Sequence, residues 1–432
     1  MKVLVVGGGG REHAVAWKLS QSPRVKNVYI FPGNGGTEIE PKIENVNHGA
    51  NFNLDGILGF AIQKKIDITV VGPEQFLVDG IVDLFKSKGL KIIGPSKLAA
   101  KLEGSKKFAK SFMSKYSIPT ANFCSFDDSR KAKEYLKNQK LPLVIKSDGL
   151  ASGKGVFIVK SLSEGYFAID ECLEKKRFDN SSDSIIIEDF LTGEEISFIV
   201  LTDGKNIFPF PTSRDHKRLL DDDEGPNTGG MGAYSPVDMV DEDLYDLIIK
   251  TVILPTVEGM KNDGVTYTGF LYAGLMIQPD KSIKVLEFNC RLGDPEAQIL
   301  MMKLKGDFFN LLELSADGKL NEIEEYENFW DPRTSLGIVV SSEGYPKSPI
   351  TGREVNFSPS IKLEKTNPKI FHASTIKNNN NVLTSGGRVL CVTAIANDLN
   401  SARKNAYEEL KNVFFEGMHY RKDIAKSSSA EK

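Results

Sequence analysis

Over residues 1 to about 100, short apolar runs alternate with longer helical stretches, and this limits the fold more than any other feature. Residues 3–6, 28–31, 68–71 and 92–93 are rich in valine, isoleucine and aromatics and read as strands. Residues 11–20, 54–64 and 78–88 lie between them and read as helices. Strands separated by helices pair in parallel, with helices on both faces of the sheet. Glycines stand at the strand ends, at 7–10, 33, 72 and 94. Ligands bind at the carboxyl ends of parallel strands, so these turns are candidate binding loops.

From residue 102 the pattern changes. A helix over 105–116 is stopped by Ile118-Pro119. Strands follow at 143–146, 156–159, 185–190 and 196–201, then an irregular stretch at 209–236, a helix over 241–262, and strands at 270–277 and 283–289. Short strands at 336–340, 369–372 and 388–394, a loop at 378–381 and a helix over 401–413 suggest a small, mainly antiparallel C-terminal unit. The division expected is 1–102, 103–328 (with 120–192 as a smaller lobe), 329–425, and a frayed tail at 426–432. The class is α/β in several domains, as the 432 residues suggest at roughly 150 per domain.

A net charge of −3 gives no sign of a broad nucleic-acid or membrane surface. No apolar run is long enough for a signal segment or membrane helix. The four cysteines and five histidines are scattered, without metal-ligand spacing or a disulfide framework. A cytoplasmic protein without nucleic-acid or membrane partners is expected.

Gly7–Gly10 invites a dinucleotide reading, but Gly-x-Gly-x-x-Gly fails at His13 or Glu12, and no acid ends the second strand. The loop can still present backbone N–H groups and Arg11 to a phosphate. The bland alternative is a tight strand–helix turn. Residues 147–155, Ser-Asp-Gly-Leu-Ala-Ser-Gly-Lys-Gly, form a glycine loop between strands but not a P-loop. Just before it stands Lys146, a charge ending an apolar strand, which is costly unless it meets an anion. A mobile hairpin is the competing reading. Residues 185–195 run from apolar strand to acids to turn, which suits a purine edge and ribose hydroxyls, or merely a solvated turn.

The strongest local signal is Glu287-Phe288-Asn289-Cys290-Arg291. Strand alternation points Glu287 and Asn289 the same way, with Arg291 near them if the strand continues, and with Leu286 and Phe288 toward the core. Two oxygen ligands beside a guanidinium suit a Mg²⁺–phosphate clamp. The alternative is a surface ion pair.

These motifs, in this order, resemble the ATP-grasp superfamily. Within it the chain resembles the phosphoribosylamine–glycine ligases over nearly its full length. The likeness is carried by Gly8-Gly9-Gly10-Arg11-Glu12-His13-Ala14, Val71-Gly72-Pro73-Glu74, Leu102-Glu103-Gly104-Ser105-Lys106, Lys146-Ser147-Asp148-Gly149-Leu150-Ala151, Asp215-His216-Lys217-Arg218, and Arg291-Leu292-Gly293-Asp294-Pro295-Glu296. The longest string is Gly225-Pro226-Asn227-Thr228-Gly229-Gly230-Met231-Gly232-Ala233-Tyr234.

The resemblance implies a pre-ATP-grasp domain, an ATP-grasp domain and a C-terminal domain, in a chain that joins glycine to 5-phosphoribosylamine using ATP and Mg²⁺ or Mn²⁺. It implies ATP contacts at Lys106, Lys146, Ser152, Gly153, Glu188, Asp189, Phe190, Leu191 and Glu195, and metal ligation by Glu287 and Asn289. Co-substrate contacts are implied at Gly8, Gly9, Gly10, Arg11, Glu74, Asp215, Lys217, Asn227, Gly229, Gly230 and Arg291. Arg291 and Lys146 carry the catalytic expectation, and a monomer is expected. Many ATP-grasp enzymes place an acid on the strand before the Glu-x-Asn strand; residues 269–277 have none. Competing readings are another ATP-grasp enzyme such as a biotin-dependent carboxylase, a catalytically silent nucleotide-binding protein, and, last, a dehydrogenase.

Overall fold

The computed structural model describes residues 1–46, 52–150, 155–175, 181–358 and 366–426. Ser152, Gly153 and the tail from 427 lie outside the described residues.

Five parallel strands form the first sheet, in the order Ile43–Asn45, Asn27–Pro32, Lys2–Gly7, Ile68–Val71, Ile92–Ile93. Lys2–Gly7 is central, and Val3, Leu4, Val5 and Val6 are buried on both faces, as continuous apolar runs in parallel sheets require. Ile43–Asn45 has three residues and no alternation, so the sequence pattern does not reveal it. The single helix expected over 78–88 is two, Glu74–Asp79 and Ile81–Ser87. Gly80 between them has φ 98°, a left-handed conformation that ends one helix and starts the next.

The middle of the chain builds two four-stranded antiparallel sheets. One runs Phe123–Phe126, Ser181–Asp189, Leu143–Gly149, Val156–Val159. The other runs Ile207–Pro209, Glu194–Thr202, Gly269–Ile277, Ile283–Asn289. Lys146 therefore does not end its strand, which continues to Gly149. The helix expected over 241–262 is Glu242–Ile248 and Leu254–Asn262, joined by a π-helical turn, Ile249–Ile253.

The stretch expected to be irregular, 209–236, carries four short strands: Arg214–Asp215, Arg218–Leu220, Glu224–Asn227 and Gly232–Ser235. Two of them, Arg214–Asp215 and Gly232–Ser235, extend the C-terminal sheet of Thr334–Ser341, Arg388–Ala396 and Lys369–His372. All four have only two to four residues, too few to show a periodicity, and the two that join the C-terminal sheet take partners distant in sequence. The same region is thereby fastened to the C-terminal sheet. The helix Glu296–Lys303 is likewise absent from the sequence pattern; every residue in it is buried, so it shows no polar face. It packs against the helix Gly10–Ser20 and the strands Thr334–Ser341 and Arg388–Ala396.

Candidate active site

A cleft of about 1170 Å³ opens between the two antiparallel sheets and reaches the first and C-terminal units. Lys106, Lys146, Glu188, Asp189, Phe190, Leu191, Glu195, Asp215, Lys217, Asn227, Gly229, Glu287, Asn289, Arg291, Arg11 and Glu74 all line it. Gly8, Gly9, Gly10 and Gly230 do not. Glu12 explains the loop: its Oε2 accepts the Gly9 N–H at 2.7 Å, so a carboxylate of the chain itself takes the donor an anion would use. Gly230 packs against Asp215 and Pro295 instead.

On one wall, two lysines one helical turn apart face the sheet. Ser105 caps the helix Lys106–Lys115 by accepting from the Phe108 N–H. Lys106 donates to the Gly149 carbonyl at 2.8 Å. Lys110 and Lys146 each lie 2.6 Å from an oxygen of Glu188, and all three side chains are buried. Burial works against the Glu188 charge, but Lys146 and Lys110 together bring its carboxyl below the usual range. Glu188 is thus a strut between two cations, beside the segment Asp189, Phe190 and Leu191 that lines the cleft. Glu195, seven residues on, pairs with Lys217.

On the opposite wall stand Glu287, Asn289 and Arg291. A bulge interrupts pairing between Ile283–Asn289 and Gly269–Ile277: Gly274 faces Glu287, and Leu275 faces Val285. Leu286 therefore leaves the core. It is half-buried, lines the cleft, and its carbonyl accepts from Lys146 at 3.2 Å. Phe288 is buried, as alternation predicts. Burial would raise the Glu287 carboxyl, yet Lys217, Lys146, Lys106 and Arg291 lower it to about 2. Arg291 donates to Glu74 at 3.1 Å and to Asn289 Oδ1 at 3.2 Å, and lies 3.0 Å from Glu103.

At the end nearest the C-terminal sheet the chemistry turns acidic. Glu296 accepts from Ser197 at 2.9 Å and from Tyr272 at 3.1 Å. The Asp215 carboxyl is raised well above its usual range by burial and then by Glu296, and its buried Oδ1 has no hydrogen-bond partner. Arg388, from the C-terminal sheet, donates to the carbonyls of Gly229 and Asp294 and lies 3.1 Å from the Asp294 carboxylate.

The family model for phosphoribosylglycinamide synthetase matches in three parts: the N domain over residues 1–103, the ATP-grasp domain over 104–297 and the C domain over 335–427. The chain belongs to this family of phosphoribosylamine–glycine ligases. A phosphoribosylamine–glycine ligase of Vibrio parahaemolyticus is 47% identical over 424 residues, covering 98% of this chain and 97% of that one. One from Neisseria meningitidis is 49% identical over 428 residues, covering 98% and 99%. The crystal structure of the Thermotoga maritima ligase superimposes with a TM-score of 0.84 at 33% identity, covering 98% of this chain and 100% of that one. The biotin carboxylase domain of a 2-oxoglutarate carboxylase from Hydrogenobacter thermophilus, at 16% identity and a TM-score of 0.73, shares the fold; 96% of this chain and 91% of that one are covered. The dehydrogenase reading is thereby set aside, and so is the carboxylase reading, whose likeness is one of fold.

Within this ligase fold, Glu103, Lys110, Tyr272, Glu296 and Arg388 join the cleft without having been expected as site residues, although Glu103 and Glu296 stand in motifs that carry the resemblance. Lys110 was within reach, because it repeats Lys106 at i+4 on one helix face. Arg388 had no local signal. Among the described residues no group of three or more His, Cys, Asp or Glu is poised to hold a metal. Glu287 and Asn289 nevertheless suit a hard divalent ion, which commonly takes one or two protein oxygens and completes its shell with substrate phosphates and water.

Proposed function

We propose that the cleft joins glycine to 5-phosphoribosylamine, with ATP converted to ADP and phosphate, and that its two ends divide the work. The observation that carries the reading is the cleft's charge order: cations about Glu188 at one end, Glu287 and Arg291 at the centre, and the partnerless Asp215 oxygen at the other.

A carboxylate does not react with an amine, because its leaving group is poor. One oxygen of the glycine carboxylate attacks the γ-phosphorus of ATP, the bond to the β-phosphate oxygen breaks, and ADP leaves. The amine of phosphoribosylamine then adds to the carbonyl carbon of glycyl phosphate, and phosphate departs as the nitrogen loses a proton. Catalysis here is mainly positioning and electrostatics. Lys106 and Lys146 face the phosphates, while backbone groups of Asp189 to Leu191 meet the base and Glu195 the ribose. Arg291 stabilises charge on the transferring phosphoryl group, held in place by Glu74 and Glu103. Asp215 accepts from the glycine ammonium with Glu296 behind it, and Lys217, Asn227 and Gly229 frame the co-substrates. Arg11 and Glu74 face the phosphoribosylamine end. Glu287 and Asn289 would hold Mg²⁺ or Mn²⁺, which supplies charge neutralisation on the phosphates.

No helix among the described residues is long and apolar enough to cross a membrane. A cytoplasmic monomer acting on small molecules suits the reading. The test is ADP release by purified protein with ATP, Mg²⁺ and fresh phosphoribosylamine, with and without glycine. Turnover requiring both co-substrates supports the ligase; turnover indifferent to either refutes it.

A further inference from the structure

The final described segment grips the cleft from outside. Arg421 is 1% exposed. Its guanidinium donates to Asp223 Oδ1 at 2.6 Å, to the Arg218 carbonyl at 3.3 Å, and to the two Asp423 oxygens at 2.8 and 2.7 Å. Asp423 accepts the Asp222 N–H at 2.8 Å, and Asp221 accepts the Lys422 N–H at 2.7 Å. His419 lies 2.9 Å from the Leu219 carbonyl, and the Ala425 N–H donates to His216 Nε2 at 3.1 Å. Residues 419–425 thus form a strap over residues 216–223.

What the strap holds is strained. Asp222 and Asp223 have φ of 60° and 54°, two consecutive non-glycine residues in the left-handed region. Such a turn persists only where its surroundings over-determine it. It closes the hairpin of Arg218–Leu220 and Glu224–Asn227. At the base of that hairpin, Thr228 donates to the Lys217 carbonyl through its N–H at 2.8 Å and its hydroxyl at 2.9 Å. Lys217, Asp223, Asn227 and Thr228 all line the cleft, and Lys217 lies 3.6 Å from Glu287.

We propose that Arg421 is a positioning residue for the co-substrate side of the cleft: by holding the Asp222–Asp223 turn it fixes the hairpin that carries Lys217 and Asn227. It touches no reacting atom. The proposal rests on the ligase reading above.

The test uses the full chain and steady-state kinetics in all three substrates, with Arg421→Gln and Asp223→Asn. Asp223 has a side chain 62% exposed, so its substitution disturbs the packing less than the change at buried Arg421 and keeps the test open if that variant does not fold. Arg421→Gln should raise KM for glycine and phosphoribosylamine about tenfold and KM for ATP less, by about threefold, because Lys217 also pairs with Glu195. Asp223→Asn should move the same two constants in the same direction, by about threefold. Amide exchange at Asp222 should accelerate in both. Equal losses in all three substrates, or unchanged KM values with faster exchange, would overturn the proposal. A wild-type enzyme that needs neither glycine nor the amine would instead refute the ligase reading, while exchange at Asp222 still reports on the strap.

Discussion

Lys146 Nζ sits 2.6 Å from Oε1 of Glu188, in a spot where both side chains are buried and a second lysine, Lys110, reaches the other carboxylate oxygen. Removing the shared anion leaves two buried cations facing each other. Glu188→Gln should cost about 3 to 5 kcal/mol of stability, the scale of breaking a buried ion pair, and raise KM for ATP. Urea unfolding and nucleotide titration check the two effects. A variant as stable as the parent would show that the pair is not desolvated.

Three histidines make the fold sensitive to mild acid. His13 and His372 are buried and held below their ordinary pKa of 6.5 by desolvation, and His216 is lowered to about 4 by burial and then Arg421. In the unfolded chain each takes up a proton near 6.5, whereas in the folded chain each resists. Their contribution to stability is complete above pH 6.5 and is lost as pH falls toward the folded values. Melting temperature should therefore drop from pH 7.5 to pH 5, and His216→Asn should flatten that slope. An unchanged slope in the variant would contradict the assignment of His216.

Gly72 has no room for a methyl group. A Cβ there would overlap Glu12 Oε1, which belongs to the same side chain that accepts from Gly9 and pairs with Arg11. Gly72→Ala should destabilise by about 1–3 kcal/mol, the usual range for overpacking. The readout is the midpoint of chemical unfolding.

Arg388 brings the C-terminal sheet to the cleft, through the Gly229 and Asp294 carbonyls and the Asp294 carboxylate. Arg388→Met should keep the alkyl stem packed but release the Asn227–Gly230 segment. KM for the co-substrates should rise about tenfold or more, with KM for ATP nearly unmoved. Steady-state kinetics in each substrate decides it.

How much of this was written in the sequence depends on the length scale of each signal. The parallel sheet was legible because Val3–Val6 is a continuous apolar run and Ile68–Val71 is broken only by Thr69, the two being spaced by helices. Glu287 and Asn289 were legible because strand alternation points them the same way, whereas Arg291 lies two residues beyond the strand's end at Asn289 and reaches it by turning back to Asn289 Oδ1. Leu286 was misplaced because a bulge depends on the partner strand, which one strand's pattern does not contain. Glu296–Lys303 was lost because a helix buried on all sides has no polar stripe. Arg388 and Arg421 were lost because their partners, Asp294 and Asp223, are distant in sequence. The glycine loop at 7–10 showed its shape, but not that Glu12 would fold back onto it.

The most direct measurement follows the oxygens of glycine. Glycine labelled with heavy oxygen in its carboxylate should, after one turnover with ATP and phosphoribosylamine, pass one labelled oxygen to inorganic phosphate, and Glu287→Ala should abolish the transfer. Phosphate that carries no label while product forms would show that the carboxylate is never phosphorylated, and would contradict an acyl-phosphate route through the cleft.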